Sequence, residues 1–483
     1  RHPSAPRNTA PKSSGSHRWT TRAPEPKPRP SRHLRSRAPL LLLLPSTAFS
    51  PPLHGTTSHT LSPPPPAMPA TSAAKGGRFT YCVGSPSFSP DEYAEDAARR
   101  ERANELLAAG DFYGAVVLSF RLPDPDDYVY HAMTAVRLAE VQRVVAMGPA
   151  NGMHAWYRDG DGDGENPTPL GPPSRADVDA YVSIFSPATS TPAALKSFLA
   201  NAKRGSVRAA AAAHLLSRRR VHPALAAALD VPRVRPRSAS AAALPPNPYL
   251  DFWAWSCRAL GWCGPTRALG ARPGARLPSH HVLPVLMHHF GCAVPTHEAL
   301  CVLRTLAADR PVADVGSGNG YWSHMLRAYG LSAVHPVDNM QSSWRVTWVP
   351  DTVAADGVAF LRSRAAAAAA GDRGRDLVLL LVYPIVGGGP VADITGPEGA
   401  FTRRLVDAYR GDTLAVVGTQ NRNGYTAFRD MTVDEYMERE QPAWTKVAQI
   451  PLPSFAGKDE ALFVFQRGER APPRDVDAAE AKT

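Results

Sequence analysis

The stretch that decides the fold is Pro311-Val-Ala-Asp314-Val-Gly316-Ser-Gly318-Asn-Gly320. An apolar run ends in an acid, and three glycines then follow at alternate positions. Glycine allows close approach of the backbone to a ligand, and the start of a helix offers free N–H groups. Residues 321–329 have helical character. The stretch therefore predicts a strand, a turn that cradles a nucleotide, and a helix.

The glycine spacing distinguishes two kinds of nucleotide site. The dinucleotide fingerprint G-x-G-x-x-G needs a third glycine where this chain has Tyr321, and Gly320 comes one residue too early. The pattern Asp314-x-Gly316-x-Gly318-x-Gly320 instead resembles the first motif of class I S-adenosylmethionine-dependent methyltransferases. The resemblance extends over about residues 295–467. It implies that the acid and the turn backbone hold the methionine end of S-adenosylmethionine.

Two further acids follow the next predicted strands. Asp338 closes a predicted strand at Ala333–Val337, 22 residues after Gly316, where an acid can accept both ribose hydroxyls. The resemblance implies that Asp356, after a predicted strand at Asp351–Ala355, receives the adenine amino group. The predicted cofactor site comprises Asp314, Gly316, Ser317, Gly318, Asn319, Gly320, Asp338, Asn339, Asp356 and Gly357.

The remaining elements predict an α/β fold with a doubly wound, mostly parallel sheet. Leu377–Tyr383 is a continuous apolar run, as expected of a strand buried on both faces. The resembled family has seven strands with the last one antiparallel, and we expect that arrangement over residues 295–468. Further strands are predicted at Thr413–Gly418, Lys446–Leu452 and Ala461–Gln466, and helices at Gln341–Val349, Phe401–Tyr409 and Val433–Glu440.

Composition divides the rest of the chain. Residues 1–75 contain eleven Lys or Arg, one acid and 16 of the 49 prolines, so they account for +10 of the net charge of +11. We expect a disordered leader there, with a translated upstream region and a true start at Met68 as one explanation. Residues 76–294 are predicted to be mainly helical, with flexible loops near 159–173 and 231–248. A disordered tail is expected over 469–483.

Helix signals support this interpretation of residues 76–294. Ser89-Pro90-Asp91-Glu92 is a capping box with proline at the first helical position, and Gly110 supplies a stop. Ala193–Arg219 is rich in alanine and leucine, and Thr296 starts another predicted helix. The aromatic segment Tyr249–Trp262 is expected to be core, with lining of the cleft as the alternative.

The residues that perform the chemistry are less evident. Methyl transfer mainly needs alignment, and a general base helps only when the acceptor must lose a proton. Tyr383, at the end of the fourth expected strand, is the catalytic candidate, although a strand-end aromatic with no reactive role is the commoner case. The Asp/Asn-Pro-Pro-Tyr signature of nitrogen methylation is missing there. Substrate contacts are predicted for Tyr383, Pro384, Gln420, Asn421, Asn423 and Lys458.

Three alternatives stay open. The protein is a methyltransferase of unknown acceptor, or it keeps the fold as a non-catalytic cofactor-binding or scaffold protein. An RNA methyltransferase would use the basic stretch Lys203–Arg237, which has nine basic residues against Asp230. A nicotinamide oxidoreductase is disfavoured by Tyr321.

Other features exclude little more. Five cysteines with no Cys-x-x-Cys pair favour a reducing compartment, so a cytoplasmic location is expected, with organellar import as the alternative. No segment has the length of a membrane span. The cluster of His280, His281, His288, His289, Cys292 and His297 matches no standard zinc spacing, and Pro284 interrupts a single helix there. We expect no metal.

Overall fold

The computed structural model describes residues 88–473, except 124–127, 132–134, 149–155, 158–169, 243, 271–279, 341–345, 370–376, 385–398, 422–427 and 429–430. Side chains at 131, 241–242, 269–270 and 366–369 are not described either. The predicted leader at 1–75, most of the predicted loop at 159–173 and the tail beyond 473 therefore lie outside the described residues. The described residues belong to one compact unit.

The first part of this unit is mainly helical. Helix starts follow the sequence signals, because Ser89, Ser174 and Thr296 each accept a hydrogen bond from a backbone N–H in the first helical turn. The helices are α1 (Pro90–Glu95), α2 (Ala97–Ala108), α3 (Phe112–Phe120), α4 (Leu138–Ala146), α5 (Arg175–Ser183), α6 (Thr191–Ala200), α7 (Val207–Arg218), α8 (Ala239–Ala242), α9 (Pro248–Leu260), α10 (Arg267–Gly270), α11 (Val282–Phe290) and α12 (His297–Ala307). Between α3 and α4 lies a small antiparallel hairpin of β1 (Val129–His131) and β2 (Ala135–Arg137).

The second part alternates strands and helices. Its strands are β4 (Val312–Val315), β5 (Val334–Asp338), β6 (Val353–Ala354), β7 (Val378–Val382), β8 (Thr413–Thr419), β9 (Thr445–Pro451) and β10 (Glu460–Gln466). Its helices are α13 (Tyr321–Ala328), α14 (Gly357–Ala369), α15 (Ala400–Ala408) and α16 (Val433–Glu440). An additional strand, β3 (Arg220–Val221), comes from the first part of the chain.

These strands form one mixed sheet in the order β3-β9-β10-β8-β7-β4-β5-β6. The neighbours from β6 to β8 pair in parallel, whereas β10 runs antiparallel to both β8 and β9. The α/β prediction is confirmed, and the last strand is antiparallel as predicted. The sheet has eight strands instead of the predicted seven, because β3 pairs with the outer edge of β9.

Side chains alternate between two cores on the two faces of the sheet. One core contains Val312 and Leu380 together with the first group of helices, and the other contains Ala313 and Leu379 together with α14–α16. Every residue of β8 is buried. A sheet covered on both faces explains the continuous apolar runs in its central strands. One core therefore joins the helical part to the sheet.

Three local predictions differ from the structure. Residues 346–349 of the helix predicted at Gln341–Val349 are irregular, and 341–345 lie outside the described residues. The helix predicted to run from Ser89 to Gly110 divides at Asp96, which caps the second part. Pro284 does not interrupt a helix, because it lies in the first turn of α11, where its missing N–H is harmless. Within the described part of the chain, no helix is long and apolar enough to cross a bilayer.

Candidate functional site

The glycine turn connects β4 to α13 at the edge where the parallel strands end. Gly316, Gly318 and Gly320 have φ angles of 77°, 60° and 75°, in the left-handed region where glycine is favoured. The N–H groups of Gly316 and Ser317 donate to the carbonyl of Val337 at 2.8 and 3.1 Å. The turn is therefore held against the end of β5.

The three glycines meet different surroundings. A Cβ on Gly320 would lie 2.2 Å from Cγ2 of Val349, so a side chain at this position would have to displace Val349. A Cβ on Gly318 would meet nothing within 4 Å. Gly316 is exposed, and a Cβ on it would have the Phe401 ring as its nearest neighbour, at 3.9 Å. The middle of the turn therefore faces open space.

Asp338 lies against this turn, as the ribose prediction requires. Its Oδ2 accepts a hydrogen bond from the Gly318 N–H at 3.0 Å, and its Oδ1 accepts one from the Met340 N–H at 2.8 Å. Both carboxylate oxygens therefore lie at the glycine turn. The neighbouring Asn339 is exposed. Asp338 is half-buried and therefore accessible to a ligand over the turn.

Asp314 lies beneath the turn and is fully buried. Its Oδ2 accepts a hydrogen bond from the Ser323 hydroxyl at 2.8 Å, whereas Oδ1 has no hydrogen-bond partner among the described residues. Burial, and secondly the nearby Asp338 carboxylate, raise the pKa of Asp314 to about 7. Two carboxylates at one turn favour a ligand with positive charge.

The turn residues between the glycines have structural contacts. Asn319 is buried, its Oδ1 accepts from the Tyr321 N–H at 3.4 Å, and its carbonyl accepts from the Trp348 N–H at 2.8 Å. The Ser317 hydroxyl oxygen is buried, and within the described part of the chain it has no partner. Asn319 therefore fixes the turn, and Ser317 retains an unused polar group.

Asp356 caps a helix that the sequence interpretation missed. Its Oδ1 accepts from the Ala359 N–H at 2.9 Å in the first turn of α14, and its side chain is exposed. A Cβ on Gly357 would lie 2.5 Å from Cγ1 of Val315, so Gly357 lets α14 approach β4 closely. The contacts of both residues are thus those of a helix start, and the adenine contact stays a prediction.

Tyr383 stands at the end of β7, the strand next to β4. Since Asp314 pairs in register with Leu380, the glycine turn and Tyr383 follow the ends of adjacent strands, about 5 Å apart. The chain crosses from β4 to β5 on one side and later places β7 on the other, which makes this edge the switch point where ligands bind in such sheets. Tyr383 has a φ of 50°, an unfavourable value for a bulky residue.

A buried polar group surrounds Tyr383. Its hydroxyl donates to Glu460 Oε1 at 3.1 Å, and Nζ of Lys458 lies 5.0 Å from its ring centroid. Lys458 and Glu460 are 4% and 1% exposed. Burial raises the pKa of Glu460 to about 8 and lowers the pKa of Lys458, while the charge of each partner opposes that change. The sequence interpretation found Tyr383 and Lys458 but missed Glu460.

Asp459 anchors the loop between these two residues. Its Oδ2 lies 2.7 Å from Nε2 of His214 on α7, and its Oδ1 accepts from the Gln420 side-chain amide at 2.8 Å. The side-chain oxygen of Gln420, Oε1, in turn accepts from Gln449 Nε2 at 2.6 Å. This network explains why Gln420 is 2% exposed. Gln420 therefore supports the loop before β10 in the described structure.

The other predicted substrate residues have different fates. Pro384 is buried directly after Tyr383, and Asn421 is buried with its carbonyl accepting from the Thr419 hydroxyl at 3.0 Å. Asn423 lies outside the described residues. The loop before β10 is also tied to the helical part, because Trp253 Nε1 donates to the Ser454 carbonyl at 2.9 Å.

The histidine cluster packs as part of the core. Nε2 of His289 lies 3.1 Å from the Tyr130 hydroxyl, and its ring stacks on Phe120 with centroids 3.8 Å apart. Burial lowers the pKa of His288 to about 4 and lowers that of His289 well below its usual range. In the described ranges, no three His, Cys, Asp or Glu side chains group as metal ligands would. Cys257, Cys263, Cys292 and Cys301 are free thiols.

The basic stretch Lys203–Arg237 is partly used inside the protein. Arg208 pairs with Asp177 at 3.2 Å, and Arg219 pairs with Glu298 at 2.5 Å. Six others are exposed on the surface, namely Lys203, Arg204, Arg220, Arg233, Arg235 and Arg237.

No known family model matches this chain, and no curated protein matches it either. The function is therefore inferred from the geometry of the glycine turn and of the sheet edge beside it. These two features combine a glycine-rich turn, two carboxylates and the buried side chains of Tyr383, Lys458 and Glu460.

Proposed function

We propose that the protein is an S-adenosylmethionine-dependent methyltransferase whose cofactor lies over the glycine turn. The observation that carries this proposal is the position of Asp338, which accepts the Gly318 N–H at a point where the turn faces open space. The Asp338 carboxylate is the candidate acceptor for the ribose hydroxyls. Asp314, Gly316 and Gly320 would shape the methionine end, and Asp356 is the candidate for the adenine contact.

The charges at the turn support a cationic ligand over a dinucleotide. A pyrophosphate needs N–H groups or positive charge at the start of the helix. Here Asp338 already occupies the Gly318 N–H, and Asp314 is buried close by with one oxygen unpartnered among the described residues. S-adenosylmethionine carries a sulfonium and an ammonium group, which two carboxylates stabilise.

The strand order also supports the proposal. If β4 is counted as strand 1 and β10 as strand 7, the order along the sheet from β6 to β9 is 3-2-1-4-5-7-6. The first five positions have the order of doubly wound nucleotide-binding folds. The antiparallel final strand, β10, is the feature that the resembled class I methyltransferases have and that dinucleotide-binding sheets of order 3-2-1-4-5-6 do not have.

Two other functions remain as rivals. A cofactor-binding scaffold without catalysis would have the same turn, and only methyl transfer distinguishes it. An RNA methyltransferase is favoured by the six exposed basic residues of the stretch Lys203–Arg237. If that version holds, RNA binding should weaken steeply with salt, and neutralising Arg233, Arg235 and Arg237 should reduce the slope.

Calorimetry on the full chain with S-adenosylmethionine, S-adenosylhomocysteine and NAD tests the proposal. We expect micromolar binding of the first two ligands and none of NAD. Saturable binding of NAD alone would overturn the assignment. Transfer of a labelled methyl group from the cofactor to a fractionated cell extract then separates the enzyme from the scaffold.

A further inference from the structure

The buried group beside the turn consists of Tyr383, Lys458 and Glu460. Tyr383 directly follows β7, Glu460 is the first residue of β10, and Lys458 lies two residues before it. Strand β10 runs antiparallel to β8 and so begins at the edge where β7 ends. Glu460 pairs with Thr419, the last residue of β8. The end of β7 and the start of β10 therefore bring a phenol, an ammonium and a carboxylate to the edge next to the glycine turn.

This arrangement is costly for packing alone. Burying a carboxylate and an ammonium costs several kcal/mol per ion unless every polar atom is satisfied. Oε2 of Glu460 is buried and has no hydrogen-bond partner among the described residues. Tyr383 has a left-handed backbone of φ 50°, and strained residues of this kind gather at functional sites.

We propose that Glu460, acting through the hydroxyl of Tyr383, accepts the proton that the methyl acceptor loses, and that the acceptor is therefore a neutral hydroxyl or amine. This inference rests on the proposed methyltransferase function. Lys458 lies beside the Tyr383 ring, and its positive charge favours the ionised form of Glu460. Asp459, held by His214 and Gln420, is a positioning residue, because it lies between Lys458 and Glu460 and fixes the chain there.

The step balances in atoms and charge. A lone pair of the acceptor forms the new bond to the methyl carbon, the carbon–sulfur bond breaks, and its electron pair stays on sulfur. The acceptor proton passes to the Tyr383 oxygen while the tyrosine proton passes to the Glu460 carboxylate. The sulfonium charge is thereby cancelled by the carboxylate charge, and the products are the methylated acceptor, a thioether and a neutral glutamic acid.

The environment of Glu460 makes this transfer feasible near neutral pH. Burial raises the pKa of Glu460 to about 8, and the Lys458 charge acts in the opposite direction. Proton transfer is most efficient when the pKa of the base lies near the working pH. The ionisable groups that interact with Glu460 are Lys458, Asp459, Tyr383, Cys292, Tyr249, Tyr181 and Cys257.

The test compares the two cofactor forms and needs no acceptor. S-adenosylmethionine carries a positive sulfur at the transfer site, whereas the sulfur of S-adenosylhomocysteine is neutral. A positive charge beside Glu460 favours its ionised form, and a group with a pKa of about 8 is about half protonated at pH 8. We therefore expect binding of S-adenosylmethionine to release more protons than binding of S-adenosylhomocysteine, by at most about half a proton. Calorimetry in two buffers of different ionisation enthalpy measures this difference.

Two variants make the test specific. Glu460→Gln should bind both ligands within about threefold of the wild type and lose the difference in proton release. Tyr383→Phe removes a hydrogen bond that lowers the pKa of Glu460, so the midpoint of the difference should move to higher pH. Asp407→Asn, an exposed change on α15, should leave the profile unchanged.

The outcomes separate the two proposals. If neither ligand binds, the methyltransferase function is wrong and this inference falls with it. If both ligands bind and release equal numbers of protons, the function stands and Glu460 is not the proton acceptor. Glu460 is also excluded as the proton acceptor if Glu460→Gln retains the difference in proton release. If Glu460→Gln does not fold, Tyr383→Phe provides the test, and an unchanged midpoint in that variant excludes Glu460.

Discussion

His214 Nε2 lies 2.7 Å from Asp459 Oδ2, and this contact joins residues 245 positions apart in the chain. Both side chains are buried, with 8% and 2% exposure. The contact connects helix α7 of the helical part to the loop before β10. The sheet edge that carries Lys458 and Glu460 is therefore built jointly by both parts of the chain.

Removing this histidine should destabilise the protein. His214→Ala leaves the Asp459 carboxylate with only part of its hydrogen bonds, which we expect to lower the free energy of unfolding by about 2–4 kcal/mol. Urea denaturation measures the loss, and Lys196→Ala on the exposed face of α6 is the matched control. Equal midpoints for the two variants would mean that the buried contact contributes nothing.

Asp338→Ala should remove most of the affinity for both cofactor forms. The change deletes the expected ribose acceptor and the hydrogen bonds to the Gly318 and Met340 N–H groups. We expect a loss of about 2 kcal/mol or more, on the order of 30-fold in Kd for S-adenosylhomocysteine. Calorimetry measures it, with Asp407→Asn as the control. Unchanged binding by Asp338→Ala would refute the ribose assignment.

Gly318 and Gly320 should respond differently to the same substitution. Gly320→Ala drives a methyl group into Val349 and should cost about 2–4 kcal/mol of stability. Gly318→Ala should cost only about 1 kcal/mol, because alanine is strained in the left-handed backbone of this position. The methyl group of Gly318→Ala should fill the open space over the turn and weaken cofactor binding. Thermal unfolding and calorimetry on the two variants test this contrast, which fails if Gly318→Ala binds like the wild type.

Binding of S-adenosylhomocysteine should strengthen as pH rises from 6 to 8. The pKa of Asp314 is raised to about 7 by burial, so its carboxyl is mostly neutral at pH 6 and ionised at pH 8. If only the ionised form attracts the ligand ammonium, the affinity increases by about tenfold over this range. Asp314→Asn should make the profile flat, and a steep profile in that variant would assign the titration to another group.

The buried histidine His289 should make the fold sensitive to acid. Burial holds the pKa of His289 well below its usual range, so the unfolded chain takes up a proton that the folded chain does not. Stability is therefore lost as pH falls through about 6.5, by about 2 kcal/mol between pH 7.5 and pH 5 for this residue.

The variant His289→Phe isolates that contribution. It should retain the packing against Phe120 but reduce the difference in unfolding free energy between the two pH values. Urea denaturation of wild type and variant at both pH values provides the comparison. An identical pH dependence in the two proteins would show that His289 is not responsible.

The central sheet was predictable because its signals are local. The apolar run at β7 and the glycine pattern after β4 each reflect one physical requirement, burial on two faces or a left-handed turn. Helix α14 was missed because its alanines carry no apolar periodicity. Strand β3 was missed because two residues pair with a strand more than 200 positions away.

The location of candidate residues at the sheet edge was predictable only where a residue follows a recognisable strand end. Asp338 and Tyr383 were placed there in this way, and Lys458 as part of a polar loop, while their roles stay predictions. Glu460 belongs to a run that is otherwise typical of a strand, and its burial beside Tyr383 depends on the pairing of β10 with β8. The role of His214 was not predictable, because the sequence of a helix does not indicate a hydrogen-bond partner 245 residues away.

The short strand Arg220–Val221 covers backbone that would otherwise face water. It pairs with Ala448 and Gln449 of β9, and the His222 N–H donates to the Val447 carbonyl at 2.8 Å. A fragment that starts near residue 295 would lack this cover, and uncovered strand edges recruit strands from neighbouring molecules. Recombinant production of the second part alone would consequently yield insoluble aggregates, and crystallisation trials should begin from a chain that retains α7.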